Sequence, residues 1–234
     1  MMTGRKNKYD DIIDNFLSKN LKPEYMNSSS PTNNAGSTLM RSNSTGENFK
    51  KSHKPIIYVS MGTVFNNENS NLFKTIVEAC KSFWHNYAII VSTGDEKTYE
   101  KYSDCSTNNI LFVPHTPQIE ILKRTSLFIT HAGMNSVSEA IHYAVPIICL
   151  PLSGDQPMVA LRVEELGIGI RLQADHELTM NKVKNAITEI LGNSSYFENV
   201  NELSLKSKMN NGHVKAADYL IEFLNKNRQE NNIL

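Results

Sequence analysis

Cysteine is scarce in this chain. Cys80, Cys105 and Cys149 lie far apart and fall in no CxxC or Cys/His spacing, which argues against a disulfide framework and against a zinc site. Cys149 sits in the apolar run VPIICLPL and reads as a small buried hydrophobe. An excess of charge is missing too. Lys plus Arg number 24 and Asp plus Glu number 24, so the composition carries no footprint for nucleic acid or an anionic membrane surface. No apolar run reaches the length of a transmembrane segment, and the N-terminus is polar rather than signal-like. The expected location is therefore cytoplasmic, where the N-x-S/T triplets at Asn27, Asn43 and Asn193 have no consequence. Two nucleotide signatures are also absent. SMGT (60–63) has one glycine and no Walker lysine, which excludes a P-loop, and the lack of GxGxxG spacing argues against a nicotinamide dinucleotide.

What is present is a soluble globular composition. Hydrophobic residues make up 40% and charged residues 21% of 234 positions, enough for a sizeable core in one large domain or two small ones. Residues 1–53 stand apart. NSSSPTNNAGSTLMRSNSTGENFKKS (27–52) is Asn/Ser/Thr-rich with few large apolar side chains, the composition of a disordered linker. Within the same stretch, YDDIIDNFLSK places Tyr9, Ile12, Ile13, Phe16 and Leu17 on one helical face. That short amphipathic helix can dock on a neighbouring surface or be the remnant of an upstream domain.

From residue 54 to 226, β-rich runs alternate with helical patterns, and 227–234 form a polar tail. Strands are expected at 56–61, 87–93, 110–113, 127–130, 146–150 and 167–172. Helices are expected near 70–84, 117–124, 135–143 and 157–166, with three more at 179–191, 194–209 and from 213. Continuous apolar strands separated by helices indicate an α/β fold, a Rossmann-like doubly wound parallel sheet with C-terminal helices. Such sheets bind ligands beyond the carboxyl ends of their strands. The loops found there are MGTVFNN, STGDE, VPHTPQ, THAGMNS and PLSGDQP.

THAGMNSVSE (130–139) is the richest of these loops. Ser136-x-x-Glu139 has the capping-box pattern, so a helix is expected to start there and present its positive end to an anion. Gly133 permits close backbone approach, Asn135 and Ser136 can donate to phosphate oxygens, and His131 can add another hydrogen bond. A diphosphate held this way needs no metal. The same residues also have a structural reading, in which Ser136 and Glu139 cap, Gly133 turns the chain and His131 is a satisfied loop residue. Asp155 is a good helix cap with Pro157 in the first turn, whereas Gln156 has no capping duty. His115, taken alone, reads as an exposed loop histidine.

Taken together, IIYVSMGTVFNN, VPHTPQIEILKRTSLFITHAGMNSVSEAIHYAVPIICLPLSGDQPMVALRVEELGIG and NGHVKAADYLIEFL resemble the C-terminal domain of the UDP-glycosyltransferases. These are the family 1 enzymes of two-domain GT-B fold, and the macrolide-type and UDP-glucuronosyltransferase-like branch is the most similar. The resemblance covers residues 55–225. It implies a UDP-sugar as donor substrate, with no cofactor and no metal. His131, Gly133, Asn135 and Ser136 would hold the diphosphate, and Glu139 would accept from the ribose hydroxyls. Pro117 and Gln118 would frame the uracil, with Gln118 on its edge. Asp155 and Gln156 would bind sugar hydroxyls, and Ser60, Gly62 and Thr63 would line the phosphate side. His115 stands where many relatives carry a tryptophan that stacks on uracil.

The family's general base is a histidine on a separate N-terminal acceptor domain, for which there is no room before Pro55. No catalytic residue is therefore expected in this chain, and sugar transfer would need an N-terminal acceptor-domain partner or a longer gene product. Two other readings stand beside it: a non-catalytic nucleotide-sugar-binding or scaffold module, and half of a GT-B sugar-nucleotide epimerase.

Overall fold

The computed structural model describes residues 9–20, 54–62, 70–210 and 212–231. Thr63, His53 and the whole Asn/Ser/Thr-rich segment lie outside the described residues.

Six short strands form one sheet: β1 (Ile56–Ser60), β2 (Ala88–Ser92), β3 (Ile110–Val113), β4 (Thr125–Thr130), β5 (Ile147–Cys149) and β6 (Gly169–Arg171). Every pairing is parallel and the order is β3-β2-β1-β4-β5-β6. This is the doubly wound arrangement expected from the apolar runs. Because successive side chains point to opposite faces, each strand feeds two cores. Ile56, Tyr58, Ile90, Leu111, Phe128 and Ile147 enter one, while Ile57, Val59, Ile89, Phe112, Ile129 and Ile148 enter the other. Residues buried on both faces leave no polar alternation along a strand, as in other covered parallel sheets.

The second core is closed by α2 (Ser70–Lys81), through Phe73, Ile76 and Cys80, and by α7 (Met180–Gly192), through Val183, Ile187 and Ile190. The first is closed by α4 (Gln118–Leu122), α5 (Met134–His142), α6 (Gln156–Glu165) and α8 (Ser194–Asn210). Cys80 and Cys149 are buried without a disulfide, and burial pushes both thiols up to about 12. A further helix, α3 (Glu96–Tyr102), was not expected from the sequence. It starts because the Asp95 carboxylate accepts from the Thr98 backbone N–H at 2.8 Å and its hydroxyl at 2.7 Å. That occupies the polar residue of the STGDE loop in capping.

The N-terminal helix α1 (Asp10–Asn20) docks on the domain itself. Tyr9, Ile13, Phe16 and Leu17 are buried in the first core, while Ile12, expected on the same face, is 45% exposed. The Tyr9 hydroxyl donates to Glu96 at 2.8 Å, and its ring meets Tyr99 edge-on at 5.4 Å. Asn20 Nδ2 donates to the Asn108 carbonyl, and the Lys54 backbone N–H donates to the Asn20 carbonyl at 2.9 Å. Residues 9–20 are thus integral to the fold, and Lys54 meets the point where α1 ends.

At the other end, α9 (Gly212–Asn231) continues past the boundary expected at 226. Tyr219, Leu220, Ile221, Phe223 and Leu224 on it are each more than half exposed. Among the described residues, no helix is long and apolar enough to cross a membrane.

Candidate functional site: the crevice at the sheet's switch point

The strand order reverses between β1 and β4, whose last residues Ser60 and Thr130 are in register. The crevice beyond the carboxyl ends of the strands at such a reversal is the usual ligand position in these sheets. Beyond β1 the chain turns through Gly62 at φ +77°. Beyond β4 it turns through Ala132 at φ +65°, a left-handed conformation in which a β-carbon is strained. Ala132 is fully buried, so packing holds a turn that its own preference resists.

The imidazole of His131 fills the space between these turns. A β-carbon on Gly62 would stand 2.7 Å from its Cε1, and one on Gly133 would stand 2.6 Å from its Nε2. The two glycines are therefore the recess in which the ring sits. Its Nδ1 lies 3.3 Å from the Thr130 hydroxyl. Burial lowers the imidazole's pKa below its ordinary 6.5, while a hydrogen bond to the Ser60 backbone and the charge of Asp155 act in the opposite direction. At neutral pH the ring is uncharged, and its one N–H is the group that meets the Ser60 backbone.

Gly133, at φ −62° and ψ 137°, is the N-cap of α5 and offers no capping side chain. The first intrahelical bond runs from the Val137 N–H to the Gly133 carbonyl at 3.0 Å. The amides of Met134, Asn135 and Ser136 precede that bond and carry the positive end of the helix into the crevice. This corrects the capping-box reading. The N-cap is Gly133, three residues before the Ser136 that the pattern points to, because the Gly133 backbone makes the turn, so Ser136 and Glu139 lie inside the helix.

Ser136 and Glu139 bind Gln118 instead. Gln118 Nε2 donates to Ser136 Oγ at 3.2 Å and to Glu139 Oε2 at 2.7 Å. Its Oε1 lies 3.2 Å from the Tyr58 hydroxyl, which is 2.6 Å from Thr116 Oγ1. Both ends of the Gln118 amide thus have partners within the protein. His115 and Pro117 are exposed on the loop beyond β3, and Pro117 caps α4 without a side-chain bond. Neither Tyr58 nor Thr116 was picked out from the sequence. Tyr58 sits in an aliphatic strand run and reads as core, and the only available signal is a phenol among aliphatics.

On the far side, Asp155 is the N-cap of α6, yet its carboxylate makes no capping bond. Exposed and close enough to act on His131, it belongs to the crevice. Gln156 does have a structural duty, contrary to expectation. With the chain folded back through Gly154 at φ +65°, its Oε1 accepts from the backbone N–H groups of Leu152 at 2.8 Å and Ser153 at 3.1 Å. Only its NH₂ remains for a ligand. Thus Ser60, Gly62, His131, Gly133 and Asp155 are brought into one group, and Gln118, Ser136 and Glu139 into a second. The exposed first turn of α5, including Asn135, joins them. Among the described residues no group of three His, Cys, Asp or Glu side chains is placed to hold a metal.

These features occur in a known setting. The family model described as UDP-glucoronosyl and UDP-glucosyl transferase matches residues 38–227. An uncharacterised UDP-glucosyltransferase of Bacillus subtilis, YojK, is 37% identical over 76% of this chain and 42% of its own length. The chain thus spans less than half the length of the curated relatives it matches. Among solved structures, the glycotransferase of kitacinnamycin superposes with a TM-score of 0.63 at 22% identity, over 72% of this chain and 43% of that one. Os79 from O. sativa, in complex with UDP, gives 0.56 at 28% identity, over 64% of this chain and 35% of that one. The six-stranded parallel sheet is that of the C-terminal GT-B domain, and the chain belongs to the UDP-glucuronosyl and UDP-glucosyl transferase family.

Proposed function

We propose that the chain is the donor-binding half of a UDP-glycosyltransferase and contributes UDP-sugar binding to the transfer of a hexosyl group onto an acceptor hydroxyl. One observation carries this reading: a neutral imidazole recessed between two glycines at the switch point, beside a helix N-terminus that no side chain caps. His131 and the amides of Asn135 and Ser136 take the diphosphate, and Gly62 and Gly133 let it approach the backbone. Ser60 lines that side. Glu139 accepts from the ribose, His115 and Pro117 flank the uracil, and Asp155 with the Gln156 NH₂ group binds the sugar. The UDP carried by a homologous structure supports the choice of nucleotide.

In the transfer step the acceptor oxygen bonds to the anomeric carbon as the bond from that carbon to the diphosphate breaks. UDP departs with the electron pair, and the acceptor's proton passes to a general base. This chain supplies the stabilisation of the leaving group, through helix dipole, amides and imidazole. The base and the acceptor pocket belong to an acceptor half, in a partner chain or in another part of a longer protein. The apolar residues exposed along α9 favour such a companion. They equally suit a second reading, a non-catalytic scaffold that binds a protein through this helix.

Titration calorimetry of the full chain with UDP separates the two. Donor binding predicts a saturable heat that His131→Ala and Glu139→Ala each weaken about tenfold or more, the scale of one charge-assisted hydrogen bond. No heat at millimolar UDP would leave only the scaffold.

A further inference from the structure

A line of hydrogen bonds runs from the centre of the sheet to Glu139. Tyr58 is fully buried in β1, with its ring stacked on Phe128 at 4.9 Å and 8°. The nearest oxygens to its hydroxyl are Thr116 Oγ1 at 2.6 Å and Gln118 Oε1 at 3.2 Å, with the Ser60 and Ser92 side chains beyond them. The amide oxygen of Gln118 cannot donate, so the phenol donates to it and accepts from the Thr116 hydroxyl. The other end of the amide is thereby turned to α5, where Nε2 reaches Ser136 Oγ and Glu139 Oε2. A reversed amide would set its oxygen against the Glu139 carboxylate, two acceptors with no proton between them. The sequence of donors, Thr116 to Tyr58 to Gln118 to Glu139, therefore has one direction. It fixes Glu139 through Oε2 and leaves Oε1 for a ligand.

We propose that Tyr58 and Thr116 are positioning residues for the nucleotide. Through Gln118 they orient the Glu139 carboxylate to accept from the ribose 2′-hydroxyl, so that the site selects ribonucleoside over 2′-deoxyribonucleoside diphosphates. This inference rests on the donor-site reading above. It adds that selectivity at the ribose is set by a buried phenol that never touches the ligand. A carboxylate held in place before binding needs no reordering when the hydroxyl arrives, which is how preorganisation converts a contact into affinity.

The test compares UDP and 2′-deoxy-UDP by calorimetry on the full chain, as wild type, Tyr58→Phe and Thr116→Val, with thermal melting of each. The wild type is expected to prefer UDP by about tenfold, one charge-assisted hydrogen bond. Tyr58→Phe, which keeps the buried ring, is expected to retain its fold and lose most of that preference by weakening UDP while leaving 2′-deoxy-UDP unchanged. Thr116→Val, on a partly exposed loop residue, moves the same way to a smaller extent, and reports independently if Tyr58→Phe unfolds. Equal weakening of both nucleotides in these variants, or an unchanged preference, would overturn the positioning role while leaving the donor site intact. Failure of the wild type to bind either nucleotide would instead remove the donor reading, and this inference with it.

Discussion

A β-carbon placed on Gly133 would stand 2.6 Å from Nε2 of His131, so the glycine and the imidazole occupy one fitted recess. Alanine adopts the φ of −62° found at Gly133 without strain. The effect of Gly133→Ala is therefore steric and falls on the ring, which can swing away. The expected result is a loss of UDP affinity of tenfold or more, with a destabilisation of about 1 kcal/mol, at the low end for overpacking. Gly62→Ala meets the same ring from a backbone at φ +77°. It adds conformational strain of order 1 kcal/mol, and is expected to lose more stability than Gly133→Ala in paired denaturation curves.

Proton linkage gives a second check. The folded-state pKa of His131 lies below its ordinary 6.5, chiefly through burial. Between those two values the unfolded chain binds more protons, so stability rises with pH across that window and is lost as pH falls through the folded value. His142 is lowered too, by burial and then by Lys208, and contributes with the same sign. His131→Asn should therefore flatten the acid side of the stability curve without abolishing its slope. Bound diphosphate favours the imidazolium, so UDP-glucose affinity is expected to rise as pH drops below 6.5 in the wild type and to stay level in His131→Asn.

Gln156 serves the loop with its oxygen and the ligand with its NH₂ group. Gln156→Glu keeps the acceptor for the Leu152 and Ser153 amides and removes the donor. Stability is expected to stay within about 1 kcal/mol of wild type. UDP affinity should hold, and affinity for UDP-glucose should fall toward that for UDP. Gln156→Ala removes both functions and is expected to lose about 1–2 kcal/mol in addition. Calorimetry with both ligands and chemical denaturation distinguish the two variants.

The docking of α1 makes a prediction far from the crevice. Ile13 is 1% exposed in the first core, so Ile13→Ala is expected to destabilise the whole domain by about 2–5 kcal/mol. Ile12→Ala, on the exposed side of the same helix, should change stability by less than about 0.5 kcal/mol. Equal, small effects in urea unfolding would show that α1 is not part of the cooperative unit.

The parts of this molecule legible in the sequence are those governed by local pattern. Six apolar runs gave the six strands within a residue or two, and the polar loops between them marked the carboxyl edge of the sheet. What escaped depends on contacts between segments distant along the chain. Gln156 looked free of structural duty because its partners, two backbone amides, leave no trace in side-chain identity. Ser136 and Glu139 matched a capping box because their spacing suits one, while their actual partner, Gln118, is 18 and 21 residues away. Tyr58 was hidden among aliphatics, and the helical spacing that announced α1 put Ile12 on its buried face, where packing leaves it 45% exposed. Ala132 was illegible for another reason: its left-handed backbone is imposed by packing, against its own preference.

The central claim is that UDP occupies the crevice between β1 and β4. A crystal structure of the full chain soaked or grown with UDP tests it most directly. The expected map places the diphosphate within hydrogen-bond distance of the Asn135 and Ser136 amides and the His131 ring, with the ribose against Glu139. An empty crevice at saturating UDP, or a nucleotide bound elsewhere on the chain, would contradict it.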